Sequence, residues 1–406
     1  MKSKALTSAI LVAIAGLVAN LLNALFTLYI AHPFSTAAYG AFTQVSSIFF
    51  LVALPGSALG VAVVRRAAHY VLNHDNDTML AWQRTLYRRV WRVMLPTAGV
   101  LVAASRFVGE WLGNRSWVAV SSVAIAGVVW GVLSVDRALL QVRQDYRGLA
   151  FNIAFEGISR LVLMMALSSR GVTAVLVGLM AAEVVTRLQA RHRVPRGHGR
   201  DIALDHTGIT LDLLVALGAL GSLSLLQFAD IFALGHVHHG PLGGYSAASQ
   251  IAKTVVYGAV IVGGFLLPEA VLAAGRGRLA SRQLHIAFGL VGSAGVILVS
   301  LSATVGPHLI TTVFGSRYES AATAVLPLSI AMSALALTTL GNTYLLATGY
   351  RWHAVVLIVL SLGSLSILSA AGGNFGSTAR WDLAVQVAVM TVIVGGVGYE
   401  YLRQRE

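Results

Sequence analysis

Long apolar stretches alternate with short polar gaps from one end of this chain to the other. No Asp, Glu, Lys or Arg occurs between Ala5 and Val64. A helix needs about 20 apolar residues to cross a hydrocarbon core. Measured against that length, the first half holds spans at Leu6–Ile30, Tyr39–Val63, Val93–Leu112, Trp117–Leu140, Leu149–Ser169 and Val172–Leu188. The second half holds Ile209–Leu234, Gly244–Leu267, Leu284–Val305, Ala321–Ala347, Trp352–Ala371 and Trp381–Gly398. The pattern predicts an all-α polytopic membrane protein of about 12 transmembrane helices. Lys2 and Lys4 precede the first apolar run as they would in a signal peptide, but the run is too long for a cleaved h-region and reads as a span. A polar, basic segment from Gln189 to His206 carries Pro195, Gly197 and Gly199. It divides the chain into an N-terminal six-helix lobe over 1–190, a cytoplasmic linker over 191–207 and a C-terminal six-helix lobe over 208–406.

The halves resemble each other at an offset of 206 residues. Tyr39-Gly-Ala-Phe-Thr-Gln44 lies over Tyr245-Ser-Ala-Ala-Ser-Gln250, and Phe26, Leu28 and His32 match Phe232, Leu234 and His238. The span count places the second half at the same offset, which points to a duplicated six-span unit rather than chance similarity of small residues. Six is even, so the lobes share one orientation and form a parallel pseudo-repeat. Transporters built this way hold substrate between lobes near the midplane.

Charge sets the expected orientation. Of 29 Lys and Arg, 22 fall in alternate gaps or at the two termini, 5 (Arg106, Arg115, Arg170, Arg317, Arg380) fall on the other side, and Arg160 and Lys253 lie inside spans. Cytoplasmic loops are the ones enriched in Lys and Arg, so both termini are expected in the cytoplasm and the protein in the inner membrane. The formal net charge of +13 is then met by anionic membrane lipids, and no nucleic-acid partner is implied. With 11% charged residues and 56% hydrophobic ones, the chain lies outside the soluble range. It has no Cys, so disulfide and thiolate chemistry are excluded.

The stretch Leu28-Tyr-Ile-Ala-His-Pro-Phe-Ser-Thr-Ala-Ala-Tyr-Gly40 resembles the start of the polysaccharide-biosynthesis, O-antigen-type oligosaccharide flippases of the multidrug/oligosaccharidyl-lipid/polysaccharide exporter superfamily. Ala229-Asp-Ile-Phe-Ala-Leu-Gly235, Gly244-Tyr-Ser-Ala-Ala-Ser-Gln-Ile-Ala-Lys253 and Pro268 are similar to the family in the second half. The resemblance covers the whole chain in span count and loop placement, while only these stretches are motif-like. It implies twelve helices in two lobes. It also implies a polyprenyl-pyrophosphate-linked oligosaccharide as substrate, moved from the inner to the outer leaflet, and polysaccharide assembly proteins as partners.

Charges and amides within spans are costly and mark candidate sites. Glu156 and Arg160 stand i, i+4 on one helix face. Arg160 lies roughly 17 Å into its span. The two form either a structural pair or a cavity-facing guanidinium for a diphosphate, with Glu156 orienting it. Asp230 and Lys253, on successive spans, form either a static pair or a coupling device broken by phosphate or by a proton. Asn20, Asn23, Gln44 and Gln250 are candidates for a sugar path, as are Asn152, Gln227 and Asn342, although span amides also serve as interhelical bonds. Among the amides Asn20, Asn23 and Gln44 are preferred, because the resemblance places the first two spans against the cavity.

Glu183, Asp212 and Glu269 read as interfacial, and Arg65 and Arg66 as a cytoplasmic anchor or a headgroup attractor. Trp82, Tyr87 and Trp91, interleaved with Arg84, Arg88, Arg89 and Arg92, read as an amphipathic helix in the interface. His236, His238 and His239 lack a nearby carboxylate and read as a solvated turn, so no metal and no cofactor is expected. There is no phosphate-binding loop or nucleophile elbow, which leaves no internal ATPase and no enzyme expected. The competing readings are an ion-coupled small-molecule exporter and, further off, a membrane polysaccharide polymerase or ligase. The latter usually needs a long extracytoplasmic loop that this chain lacks.

Overall fold

A computed structural model describes residues 2–72, 76–112, 116–195, 206–237, 242–274, 281–348, 350–371 and 373–403. They form twelve long helices: α1 Lys2–Ala31, α2 Thr36–Leu72, α3 Asn76–Trp111, α4 Trp117–Val142, α5 Tyr146–Leu167, α6 Val172–Arg193, α7 His206–Val237, α8 Gly243–Ala274, α9 Ser281–Phe314, α10 Ala322–Thr348, α11 Trp352–Ser369 and α12 Phe375–Arg403. Each of the twelve contains a window long and apolar enough to cross a membrane. The chain is a multi-pass, all-α membrane protein.

The repeat is written in the helix register. Subtracting the starts of α1–α6 from those of α7–α12 gives 204, 207, 205, 205, 206 and 203 residues. Two compact units result, residues 1–33 with 45–217 and residues 34–44 with 218–406.

In the first unit α4 is the central helix, and its start is fixed by Ser116, whose hydroxyl accepts from the Ala119 amide at 3.3 Å. Small residues set the packing distances, because lipid gives no hydrophobic drive for helix association and close backbone approach must supply it. A methyl on Gly56 of α2 would lie 2.4 Å from the Gly131 Cα of α4, and one on Gly157 of α5 would lie 2.8 Å from the Ala19 Cα of α1.

In the second unit α10 takes the central place against α8, α9 and α12. The first turns of α2 seat in this unit. Tyr39 is fully buried, with its ring centroid 6.1 Å from Phe314 and 5.7 Å from Tyr318. The Thr43 hydroxyl donates to Ser246 Oγ at 2.7 Å, and Arg317 Nη1 donates to the Phe34 carbonyl at 3.0 Å. Glycine makes this seat possible, since a methyl on Gly40 would fall 2.7 Å from the Gly243 nitrogen. The two stretches matched by the internal repeat are therefore in contact.

Two expectations are corrected. Residues Trp82–Arg92 are no separate interfacial helix: they are part of the unbroken α3, with Trp82, Leu86 and Val90 buried in a core shared with Val132, Val135 and Leu139 of α4. Their apolar face is used by the protein and not by lipid. Second, α6 runs to Arg193, five residues past the predicted span end, so Glu183 stands ten residues from the helix terminus and is fully buried rather than interfacial. Residues 196–205, with His238 and His239, lie outside the described residues, as do the side chains of Arg65, Arg66, Asp212 and Glu269.

Gly56→Ala should lower the thermal stability of the detergent-solubilised protein by the equivalent of about 1–3 kcal/mol, because its methyl meets backbone. Gly99→Ala on α3, with nothing within 4 Å, should leave the midpoint unchanged or slightly raised. Thermal-shift traces of the two variants make the comparison.

Candidate functional site

Each unit buries charged side chains in clusters. In the first unit one cluster is built by α4, α5 and α6. Glu156 receives Arg160 Nη2 at 2.5 Å on Oε1 and Arg137 Nη2 at 2.6 Å on Oε2, and Trp130 Nε1 donates to Oε1 at 3.2 Å. Arg160 Nε donates to Glu183 Oε1 at 2.6 Å, and its guanidinium lies over the Phe49 ring, 4.9 Å from the centroid. Asn152 completes the chain, accepting from Arg137 Nε at 2.7 Å and donating to the Thr186 carbonyl and Gln189 Oε1. Two guanidinia face two carboxylates, so the four formal charges cancel. A charge near the midplane costs about 2.5–3.5 kcal/mol on insertion scales unless partnered. Here every one is partnered.

Helical spacing explains the geometry. Glu156 and Arg160 sit one turn apart on α5, and the 11% exposure of the Arg160 side chain places it between α5 and α6. Arg137, grouped by the charge pattern with the cytoplasmic arginines although the predicted span runs to Leu140, lies inside α4, which continues to Val142. A neighbouring cluster follows the same logic: Asp136, fully buried, accepts from the Tyr87 hydroxyl and lies 3.8 Å from Arg187 Nε. Arg187 and Arg191 in turn lie over Trp91 and Tyr87, each 4.8 Å from the ring centroid.

The second cluster is different in balance. Asp230 of α7 and Lys253 of α8 are both fully buried, with 4.0 Å between Nζ and Oδ1. Asp230 is held by the Ile231 amide at 2.8 Å and Ser249 Oγ at 3.4 Å. The Lys253 ammonium lies 4.3 Å from the Phe228 ring centroid and donates no hydrogen bond. Asp382 of α12, fully buried, lies close enough to Lys253 and Asp230 for both charges to act on it, and it accepts from Gln386 Nε2 at 3.1 Å. Its Oδ2 has no hydrogen-bond partner. Two carboxylates thus share one ammonium, a formal excess of −1 in a dehydrated site. Such a group can take up one proton or open around its loose pair without leaving a balanced network.

The structure therefore brings Glu156 to Arg160 and Asp230 to Lys253. Of the amide candidates it brings Asn152 into the first cluster, and it joins none of Asn20, Asn23, Gln44 and Gln250 to either. Asn20 is exposed and Asn23 half-buried on α1, while Gln250 is half-buried and bonded to the Tyr257 side chain. Gln44 is buried with its amide against the bare backbone of Gly235. Sequence reasoning missed Arg137, Glu183 and Asp382. For Asp382 the span was started at Trp381, whereas α12 begins at Phe375 and puts the carboxylate two turns inside. The i, i+4 pairing of Asp382 with Gln386 in an otherwise apolar run was the available signal.

No family model matches the sequence, and no curated protein matches it. Solved structures do match its fold. A multidrug resistance MATE family transporter of the MOP superfamily, in an inward-facing conformation, superposes with a TM-score of 0.73 at 13% identity over 98% of each chain. A MOP superfamily transporter from Pyrococcus furiosus gives 0.75 at 11% identity over 98% of this chain and 96% of that one. The lipid II flippase MurJ, in an inward closed conformation, gives 0.73 at 12% identity over 96% of this chain and 87% of its own. The chain has the fold of MOP-superfamily transporters, and at these identities the likeness speaks for the fold.

Arg160→Gln should cost about 3–5 kcal/mol, because it strands Glu183 in the core. Arg160→Gln with Glu183→Gln should recover most of that loss, since Arg137 and Glu156 remain a pair. Fluorescence-detected size exclusion after a temperature series measures both. Equal losses in the single and double variants would show that the network is not what holds α5 to α6.

Proposed function

We propose that this chain is a membrane transporter of the MOP superfamily, and not an enzyme, that flips a polyprenyl-pyrophosphate-linked oligosaccharide across the cytoplasmic membrane for surface polysaccharide assembly. The observation that carries the reading is the contact between Tyr39–Gln44 and Tyr245–Gln250, repeat-matched stretches of which the first begins at the end of one family-like segment and the second lies within another. The fold shared with a lipid II flippase supports it. In this reading both termini are cytoplasmic, the lobes are 1–190 and 208–406, and transport proceeds by alternating access. Arg160, engaged by two carboxylates, is scaffold and not headgroup ligand. Asn20 and Asn23 supply polar groups along the sugar path. Asp230, Asp382 and Lys253 are the coupling site: protonating one carboxylate leaves a neutral cluster, whereas the deprotonated one carries an uncompensated charge. A second reading, an ion-coupled small-molecule exporter, is favoured by the superposition on a MATE transporter over 98% of both chains.

Deleting the gene should remove a surface glycan while its lipid-linked precursor accumulates on the inner leaflet, visible by mass spectrometry of lipid extracts. An unchanged glycan with raised drug susceptibility supports the exporter instead.

Coupling is tested in proteoliposomes. Asp230→Asn and Asp382→Asn keep side-chain volume and mimic the protonated acid, so each should reach the membrane folded and lose gradient-driven transport while retaining gradient-free exchange. Full gradient-driven transport by both variants would remove the cluster from the coupling step.

A further inference from the structure

At the ends where α10 and α12 begin, the second unit carries a cleft of about 330 Å³. That volume lies in the range of small-ligand sites. Its walls are Leu326, Pro327 and Ile330 from α10 and Leu383 from α12, with Thr323, Gly376 and Arg380 on one rim. The sequence leaves the space open in two ways. Pro327 removes a backbone donor inside α10, and its ring crowds the preceding turn. Gly376 contributes no side chain, and a methyl built there meets nothing nearer than 3.5 Å.

Arg380 is the only charged residue on this lining. Its Nε donates to the Gly376 carbonyl at 3.1 Å, which holds the guanidinium at the rim. It is exposed, and no carboxylate lies within ion-pair distance of it among the described residues. The α12 N-terminus is already capped by Asn374, whose Oδ1 accepts from the Gly376 amide at 2.9 Å, so the positive charge at the rim is that of Arg380. Five residues separate Arg380 from the start of α12, about 8 Å along a helix. Trp381 beside it is 51% exposed, as befits a residue at the boundary of headgroups and acyl chains. A cation at that depth in a span needs an anion or water.

We propose that this cleft binds one anionic phospholipid from the leaflet at which α10 and α12 begin, its phosphate on Arg380 and an acyl chain along Leu326, Pro327, Ile330 and Leu383. A free phosphate could meet Arg380 and Thr323 at the rim but leaves the apolar walls uncovered. A zwitterionic lipid brings its own ammonium to compete for the phosphate. An anionic phospholipid satisfies the rim and the walls together, and it fills a gap between two helices that pack against each other.

The test is native mass spectrometry of the full-length protein titrated with phosphatidylglycerol or phosphatidylcholine. The expected result is one retained phosphatidylglycerol, and Arg380→Gln should weaken that retention about tenfold, the loss of a charge-assisted contact. Gly376→Leu, which blocks the cleft and keeps the charge, should weaken it too. Arg170→Gln, removing the exposed arginine just before the equivalent helix α6, should leave it unchanged. Phosphatidylglycerol carrying a photoreactive acyl chain should crosslink wild-type protein within 323–330 or 376–383, a readout that does not depend on any variant folding. Crosslinks elsewhere only, undiminished retention by Arg380→Gln, or an equal loss with Arg170→Gln would overturn the assignment. Displacement of the lipid by polyprenyl pyrophosphate would overturn it as well, since the cleft would then belong to the transport path.

Discussion

Hydrocarbon supplies no hydrogen bonds and no counter-ions, so whatever charge a span carries must be answered by another span. That constraint shapes both units of this protein more than hydrophobic packing does, since lipid tails solvate leucine as well as another helix would. Helices are held instead by close backbone approach at glycine and by buried polar contacts. The Gly56–Gly131 contact is an instance of the first, and the Arg137–Glu156–Arg160–Glu183 chain of the second. The ionic chain ties α4, α5 and α6 together through three successive pairs. Removing one partner strands another in a medium that cannot resolvate it.

The same rule gives the second cluster its interest. A balanced network resists change because every alternative arrangement is worse. Lys253 stands 4.0 Å from Asp230 with no hydrogen bond of its own, while Asp382 brings a second carboxylate to the same dehydrated volume. Here one carboxylate is left without a counter-charge, which none of the four groups of the first unit's ionic chain is. The contrast is one of charge count, 2 against 2 in the first unit and 1 against 2 in the second. It separates a scaffold from a candidate switch without appeal to position in the fold.

Helix number, helix order and the duplication were legible in the sequence because hydropathy reports span length directly and the repeat fixes the register. Pairs within reach of local geometry were legible too: Glu156 with Arg160 by i, i+4 spacing, and Asp230 with Lys253 across one hairpin. What was not legible depends on where helices end. Hydropathy places a span's ends only to within several residues, and α2, α3, α4 and α6 each run past a predicted end. Arg137 and Glu183 stand near predicted span ends, where charge reads as cytoplasmic or interfacial, although each lies inside a helix against a buried partner. Trp82 failed for a related reason: an aromatic-basic alternation suits a lipid interface and a protein core equally, and only the partner helix α4 decides between them.

The two clusters are not repeat copies of one another. At the 206-residue offset, Arg137, Glu156, Arg160 and Glu183 of the first half lie over Thr343, Leu362, Ser366 and Val389 of the second. In reverse, Asp230, Lys253 and Asp382 lie over Ala24, Ser47 and Leu176. Each half keeps apolar or small residues where the other buries charge. The helix register is common because packing of a six-helix unit demands it, but no such demand fixes where charge sits. An intramembrane charge is expensive to keep at any position, so its presence in only one half at each of these sites argues that the halves carry different tasks. In the proposed reading, a symmetric frame with asymmetric charge gives the ion-responsive cluster to the second unit and the balanced scaffold to the first.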